Sequence, residues 1–308
     1  MKCKTLLALA ALATLAGGAT AQSTVTIYGK IDIGFRKEIG NDNRQIATSG
    51  DSRLGFRGTE DLGGGLQAFF DIQHRFFPNT GAQDGTQFWK GVSHVGLAGS
   101  FGRVGMGRQY IAAFSLVQNQ VDPFDADTVA QVRDVGMRVG GITKVRVDNS
   151  IRYDFSASGV SFAASIAEAS ANGGPDRPYS VAAGYRSGPL FLGAGYEDPA
   201  GARDHQWNLA ATYVLGGSTL MAGYARGRTN ADVPTTGYVL GLNVPFGAGQ
   251  FKAAYGTREV GGSTAARKFG VGYHHALSKR TLIYVDAAHD SKATIAKSGY
   301  DLGIRHSF

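Results

Sequence analysis

Three scarcities bound what this chain can be. It has one cysteine, eight prolines and, beyond residue 21, no apolar run as long as 18 residues. The single cysteine excludes a disulfide-stapled extracellular module. Few prolines and no Gly-X-Y period exclude collagen and proline-rich disorder. The short apolar runs exclude a membrane-spanning helix. Charge of either sign is modest too: 31 Lys and Arg stand against 24 Asp and Glu. Such a balance is a poor footing for binding nucleic acid.

The N-terminal stretch "MKCKTLLALAALATLAGGATAQS" combines Lys2 and Lys4, an apolar run over 6–16 and small residues ending Ala19-Thr20-Ala21. That pattern predicts a secretory signal over 1–21, with the mature chain starting at Gln22. The alternative, a spanning helix, falls short, since 11 residues stand where a bilayer needs about 20. Cleavage removes Cys3, leaves 287 residues without a thiol, and takes the balance to 29 against 24, or +5. A secreted chain without disulfides must stabilise itself through backbone pairing.

What is abundant is glycine, 45 of 308 residues, together with aromatics at 10%. The aromatics recur inside short alternating segments. In "TVTIYGKIDIGFR", Val25, Ile27, Ile31, Ile33 and Phe35 fall on one side, and Thr26, Lys30, Asp32 and Arg36 on the other. "LFLGAGY", "HQWNLAATY" and "GYVLGLNVPF" repeat the period of two. The pattern fits a membrane barrel with oily residues outside, and equally a soluble sandwich with them inside. The other face carries Gly, Ala, Ser, Thr, Asn and Arg, too small and too wet to fill a sandwich core, and aromatics gather near segment ends as at a bilayer interface.

Sixteen alternating stretches are predicted: 24–36, 48–59, 64–76, 88–98, 101–108, 146–154, 159–168, 179–187, 189–197, 204–215, 218–227, 235–245, 249–258, 267–276, 280–289 and 299–308. An even number suits a closed antiparallel barrel, with short turns at the periplasmic end and longer loops outside. The longest interruption, 109–145, retains Ile111, Phe114, Leu116, Val117, Phe124 and Val129. Those residues predict an ordered loop folded against something, since a hairpin turn needs far fewer residues.

The motifs "SRLGFRGTEDLGGGLQAFF" (52–70), "HVGLAGSFGRVGMGRQY" (94–110), "RVDNSIRYD" (146–154) and the terminal "GIRHSF" are together similar to the general diffusion porins of Gram-negative bacteria, in their β-proteobacterial branch. The resemblance covers the whole mature chain. It implies an all-β, 16-stranded antiparallel transmembrane barrel whose long third external loop, here 109–145, folds into the lumen as a constriction. It implies a homotrimer in the outer membrane, in contact with lipid and lipopolysaccharide, passing ions and small hydrophilic solutes down their gradients. It also implies that Phe308 is the C-terminal aromatic read by the barrel-assembly machinery. No enzyme activity, nucleic-acid partner or cofactor is expected, although divalent cations could bridge surface acids to lipopolysaccharide.

A diffusion pore needs fixed charges around a water-filled bottleneck, where little water screens them. The acidic row is assigned to Asp122, Asp125 and Asp127 in "DPFDAD". For the basic wall, parity sends Leu54, Phe56, Ile151 and Tyr153 outward and Arg53, Arg57 and Arg152 inward. Arg53 matches the arginine of the family's SRxG motif, Arg108 its GRQ motif, and Arg44 an arginine that often precedes the second strand. Lys30, Arg75, Arg133 and Arg146 complete the candidates. One departure stands out, because Gly91 occupies a position where relatives carry arginine, and strand parity would turn the neighbouring Lys90 to the opposite face. "IQHRF" also differs, with Gln73 and His74 where many relatives have Leu-Glu.

Other signals read as structure. The glycines 63–65 are followed by no phosphate-loop lysine. His274 and His275 are adjacent and so face opposite sides of a strand, and no Ser/His/acid grouping stands out. Inward arginines outnumber inward acids, which predicts a mild anion preference. A substrate-specific channel on the same barrel, an adhesive barrel without conductance and an outer-membrane hydrolase remain as alternatives.

Overall fold

The computed structural model describes residues 23–138 and 143–308; the expected leader over 1–21, with Cys3, and the start at Gln22 lie outside them. The chain forms β1 (Thr24–Lys37), a short β2 (Arg44–Ala47), β3 (Arg53–Gly63), β4 (Leu66–Arg75), β5 (Val92–Gly99), β6 (Gly102–Tyr110), β7 (Arg146–Ala157), β8 (Val160–Ala167) and β9 (Tyr179–Ser187). It continues through β10 (Leu190–Asp198), β11 (His205–Leu215), β12 (Ser218–Arg228), β13 (Pro234–Phe246), β14 (Gly249–Val260), β15 (Ser263–Ala276), β16 (Thr281–Asp290) and β17 (Ser298–Ser307). Sixteen of these are the antiparallel staves of one closed barrel. β2 is an extra flap paired to the end of β1.

Closure is made by β1 and β17, in register from Lys30 opposite Ser307 to Lys37 opposite Tyr300. The last residue extends this ladder, because the Phe308 N–H donates to the Gly29 carbonyl at 3.1 Å and the Gly29 N–H to the Phe308 carbonyl at 3.0 Å. Among the described residues no long stave is left with an unpaired edge, which is the condition for a sheet to stand in hydrocarbon.

The faces differ as alternation demands. Val25, Ile27, Ile31 and Phe35 are between 42% and 67% exposed, whereas Lys30 and Asp32 are buried. A soluble sandwich would bury the first set, so this exposure removes that alternative. Apolar packing sits elsewhere: Val117, Val121, Phe124, Val132 and Met137, from the segment between β6 and β7, pack on Ala163, Ala182, Ala210, Val239 and Ala254 of the strands. Strand glycines allow the approach. A Cβ at Gly270 would lie 2.4 Å from the Ala130 carbonyl oxygen, and one at Gly223 2.5 Å from the Met137 sulfur.

Two strands begin later than expected, while β3 runs on to Gly63 rather than 59 and β15 begins early, at Ser263 rather than 267. The second predicted strand, 48–59, is interrupted, and residues 48–52 stand off β1 on side-chain contacts. The Asp32 N–H donates to Ser52 Oγ at 3.0 Å, Ser52 Oγ donates to the Asp32 carbonyl at 3.2 Å, and Ser49 N–H donates to Asp32 Oδ1 at 3.0 Å. The fourth predicted strand, 88–98, begins only at Val92, because 88–91 belong to the preceding loop.

The same Asp32 joins the seam. Arg305, its register partner on β17, donates Nε–H to Oδ2 at 3.0 Å, and the Tyr284 hydroxyl donates to Oδ1 at 2.8 Å. Tyr284 lies over Gly303, where a Cβ would come within 2.3 Å of its hydroxyl oxygen and 2.9 Å of the Ile33 carbonyl oxygen. Gly303→Val is therefore expected to displace Tyr284 from Asp32 and destabilise the barrel by about 1–3 kcal/mol, the usual cost of overpacking. Urea unfolding of the refolded barrel in detergent measures it, and unchanged stability would contradict this account of the seam.

Candidate functional site

The segment between β6 and β7 is held by polar contacts as well as apolar ones. Ala113 N–H donates to Ser180 Oγ at 2.9 Å, Val129 N–H to Asp301 Oδ2 at 2.9 Å, and Lys252 Nζ to the Pro123 carbonyl at 2.6 Å. Gln206 and Asn208 donate side-chain N–H groups to the Met137 carbonyl at 2.7 and 3.1 Å. Those strand side chains lie on the polar face of the sheet. The segment has no regular period, and among its described residues it forms just the short helices Ala112–Leu116 and Arg133–Gly136 and a 3-10 turn over Gln118–Gln120, so these contacts set its course.

Asp122 organises the segment from within. It is buried, and its carboxylate accepts the N–H groups of Phe124 at 2.9 Å, Val132 at 2.9 Å and Arg133 at 2.8 Å. Burial pushes this carboxyl above the usual range, although the three N–H groups and Arg133 work in the other direction. Its backbone role keeps it from the open space that the sequence assigned to it.

Asp127 is the electrostatic anchor. Its Oδ2 lies 2.7 Å from Lys30 Nζ and 2.9 Å from Arg305 Nη2, which ties the segment to both strands of the seam. Burial raises its carboxyl, but Lys30 and Arg305 outweigh burial and hold it below the ordinary range.

Beside these anchors lies a cavity of about 540 Å³. Arg53, Arg75, Arg133 and Arg146 line it, as do Asp125 and Asp127. Six of the twelve charged residues expected around a bottleneck are thus brought together. Lys90, Arg138, Asp51, Asp84 and Asp134, which the alternation did not single out as lining residues, join them. Lys90 corrects the expectation that it faces away: residues 88–91 precede β5, so strand parity does not govern them, and Lys90 pairs with Asp84 at 2.6 Å. A Cβ at Gly91 would lie 2.4 Å from Gln73 Oε1.

The remaining candidates lie apart from this cavity. Lys30 is covered by its contact with Asp127. Arg44 sits on the flap, with Nε 3.1 Å from the Tyr300 hydroxyl. Arg57 shares the polar face with Arg53 but stacks at 5.0 Å over Tyr28. Arg108 pairs with Asp148 at 2.6 Å and donates to the Lys90 carbonyl at 3.0 Å; alternation along β6 sets it on the side of the exposed Met106. Arg152 forks onto Asp154 and donates to the Tyr110 and Ile111 carbonyls at 2.8 and 3.2 Å, bracing the segment's root beside a second cavity of about 350 Å³. The Phe308 ring covers Gly29 on the outward face, 2.4 Å from where a Cβ would be.

The lining charges are unevenly engaged. Arg75 meets Asp51 at 2.7 Å, and Asp134 meets Arg133 at 3.2 Å and Arg138 at 3.1 Å. The Asp134 carboxyl, raised by burial, is held low overall by those two guanidiniums. Among the described residues, Arg53 and Arg146 have no carboxylate within ion-pair distance, and neither does Asp125 have a cation.

A profile of Gram-negative porins matches residues 8–294 of this chain. The chain is 31% identical to outer membrane porin protein 32 of Delftia acidovorans, over 99% of both chains. It is also 31% identical to an outer membrane porin protein of Bordetella pertussis, over 99% of this chain and 100% of that one. Among solved structures, the anion-selective porin from Comamonas acidovorans matches with a TM-score of 0.78 at 28% identity, covering 93% of this chain and 100% of that one.

Asp127→Asn is expected to leave the buried Lys30 without an anion, facing an Arg305 that keeps only Asp32, and to lower stability by about 3–5 kcal/mol at neutral pH. Because the Asp127 carboxyl is depressed in the folded state, its contribution is complete above the unfolded value of about 3.9 and is lost as pH falls through the lower folded value. Urea unfolding at pH 7 and pH 3 tests both parts, the gap between wild type and variant narrowing at the lower pH.

Proposed function

The chain belongs to the Gram-negative porin family, and from that premise we propose that its bottleneck favours small anions. It is a passive diffusion channel of the bacterial outer membrane, a multi-pass β-barrel and not an enzyme. We read residues 109–145 as the constriction loop, folded into the lumen. The support is its bonding to Ser180, Gln206, Asn208, Lys252 and Asp301 from the polar face of the closed sheet.

The observation that carries the selectivity is the balance of charge at the cavity. Six basic side chains, Arg53, Arg75, Lys90, Arg133, Arg138 and Arg146, meet five acidic ones, Asp51, Asp84, Asp125, Asp127 and Asp134. Four of the acids are already satisfied by cations, and Asp127 draws on two, Lys30 and Arg305, that add to the positive side. An ion in the opening thus meets Arg53, Arg146 and Asp125 as its least neutralised neighbours, two cations against one acid. Field lines in such a low-dielectric surround are poorly screened. The anion selectivity named for the Comamonas relative points the same way.

Assembly completes the reading. We infer that 1–21 is removed on export, that Phe308 serves the assembly machinery while sealing β17 to β1, and that the mature barrel stands as a homotrimer among lipid and lipopolysaccharide. Aromatic side chains on the outward face at strand ends, such as Tyr179, Trp207, Phe246 and Phe251, suit the two membrane interfaces.

Reversal potentials across planar bilayers in a salt gradient test the selectivity, and a cation preference in the wild type would overturn it. Arg53→Ala combined with Arg146→Ala is expected to lower the anion-to-cation permeability ratio by about twofold or more.

A further inference from the structure

Tyr110, the last residue of β6, takes up an unusual position at the cavity. Its hydroxyl oxygen accepts a hydrogen bond from Arg75 Nη2 at 3.2 Å and another from Arg146 Nη2 at 2.6 Å. All three residues line the same space as Arg53. The Tyr110 ring is stacked on Phe114 at 5.3 Å and 6°, Arg146 lies over it at 4.3 Å, and Arg133 lies over Phe114 at 4.8 Å. Position and orientation of the phenol are therefore set by packing, and Arg75 is fixed on its other side by Asp51 at 2.7 Å.

A phenol has one O–H to donate and room for about two hydrogen bonds to accept. Here both acceptor positions are filled by guanidinium donors. What remains is the proton. A hydroxyl in this state can donate to a passing anion but has no free lone pair with which to replace water around a cation. The same oxygen draws together two like charges that would otherwise separate, their Nη2 atoms lying within about 6 Å of each other.

We propose that Tyr110 is a specificity-determining residue of this pore, holding Arg75 and Arg146 together and turning its own O–H into a donor-only contact for small anions, halides or oxyanions. The proposal rests on the reading of this cavity as an anion-favouring bottleneck. It adds a neutral side chain to a selectivity otherwise assigned to charges alone.

Tyr110→Phe tests it, since it keeps the ring, its stack on Phe114 and the surface under Arg146, and removes only the oxygen. Two quantities are read for wild type and variant: the chloride-to-potassium permeability ratio in planar bilayers, and the flux of a neutral sugar into liposomes. The ratio is expected to fall by roughly twofold, with sugar flux unchanged. An unchanged ratio overturns the proposal, and so does a change in sugar flux matching that in the ratio, which would mark Tyr110 as part of the loop's packing. If the wild type itself preferred potassium, the anion reading would fail on that measurement, and Tyr110 would still be judged by whether the variant moved further toward potassium.

Discussion

Everything in this fold depends on one requirement, that a sheet standing in hydrocarbon leave no backbone hydrogen-bonding group unpaired. The requirement is met only where the first strand finds the last, and the chain reinforces that seam with side-chain bonds as well as a backbone ladder. The terminal peptide of Phe308 exchanges bonds with Gly29, and beside it the Asp32 carboxylate gathers Arg305 from β17, Tyr284 from β16 and Ser49 from the connection after β2. Two strands from opposite ends of the sequence must diffuse together before any of these contacts forms. A cluster of charge-assisted bonds specific to one register suits that task, because a slip by one residue would set Asp32 and Arg305 on opposite faces.

The seam also governs the pore. Arg305 reaches from Asp32 to Asp127, and Lys30 meets the same carboxylate, so barrel closure and the placement of the loop share one ionic network. The far side of the loop is held by different physics. There Val121, Phe124, Val132 and Met137 rest on strand alanines and glycines, in the larger of two apolar clusters among the described residues. This arrangement explains the abundance of glycine better than turns alone do: glycines in β12 and β15 admit loop atoms to distances that a Cβ would forbid.

Alternation made the staves legible, because lipid and water on opposite sides of a single layer leave a period of two in nearly every strand. Parity along the first strands followed, and with it the setting of Arg53 and Arg57 on the face opposite Leu54 and Phe56. Legibility stopped where side chains, rather than strand pairing, set the backbone. The break over 48–52 depends on Ser52 and Ser49 meeting Asp32, and nothing local in those residues announces it. Arg108 fits a family motif although its parity matches that of Met106, and Asp122 belongs to the loop's "DPFDAD" although a carboxylate two residues before a buried phenylalanine can equally cap its own loop. Tyr110 ends the "GRQY" run, but only the fold brings Arg75 and Arg146 to its oxygen.

Counting charges around a bottleneck misjudges its field unless their partners are counted too. On the loop, Asp127 and Asp134 look like an acidic row facing arginines, the arrangement that gives a transverse field with little net sign. Each is instead engaged by two cations at 3.2 Å or closer, so its field at the opening is largely cancelled at the source. Arg53 and Arg146 meet no such cancellation, and the phenol beneath Arg146 adds a donor rather than an acceptor. Selectivity in a wall of nearly balanced composition then comes from which charges the fold has already spent on itself, and here Arg53 and Arg146 are left against the single acid Asp125.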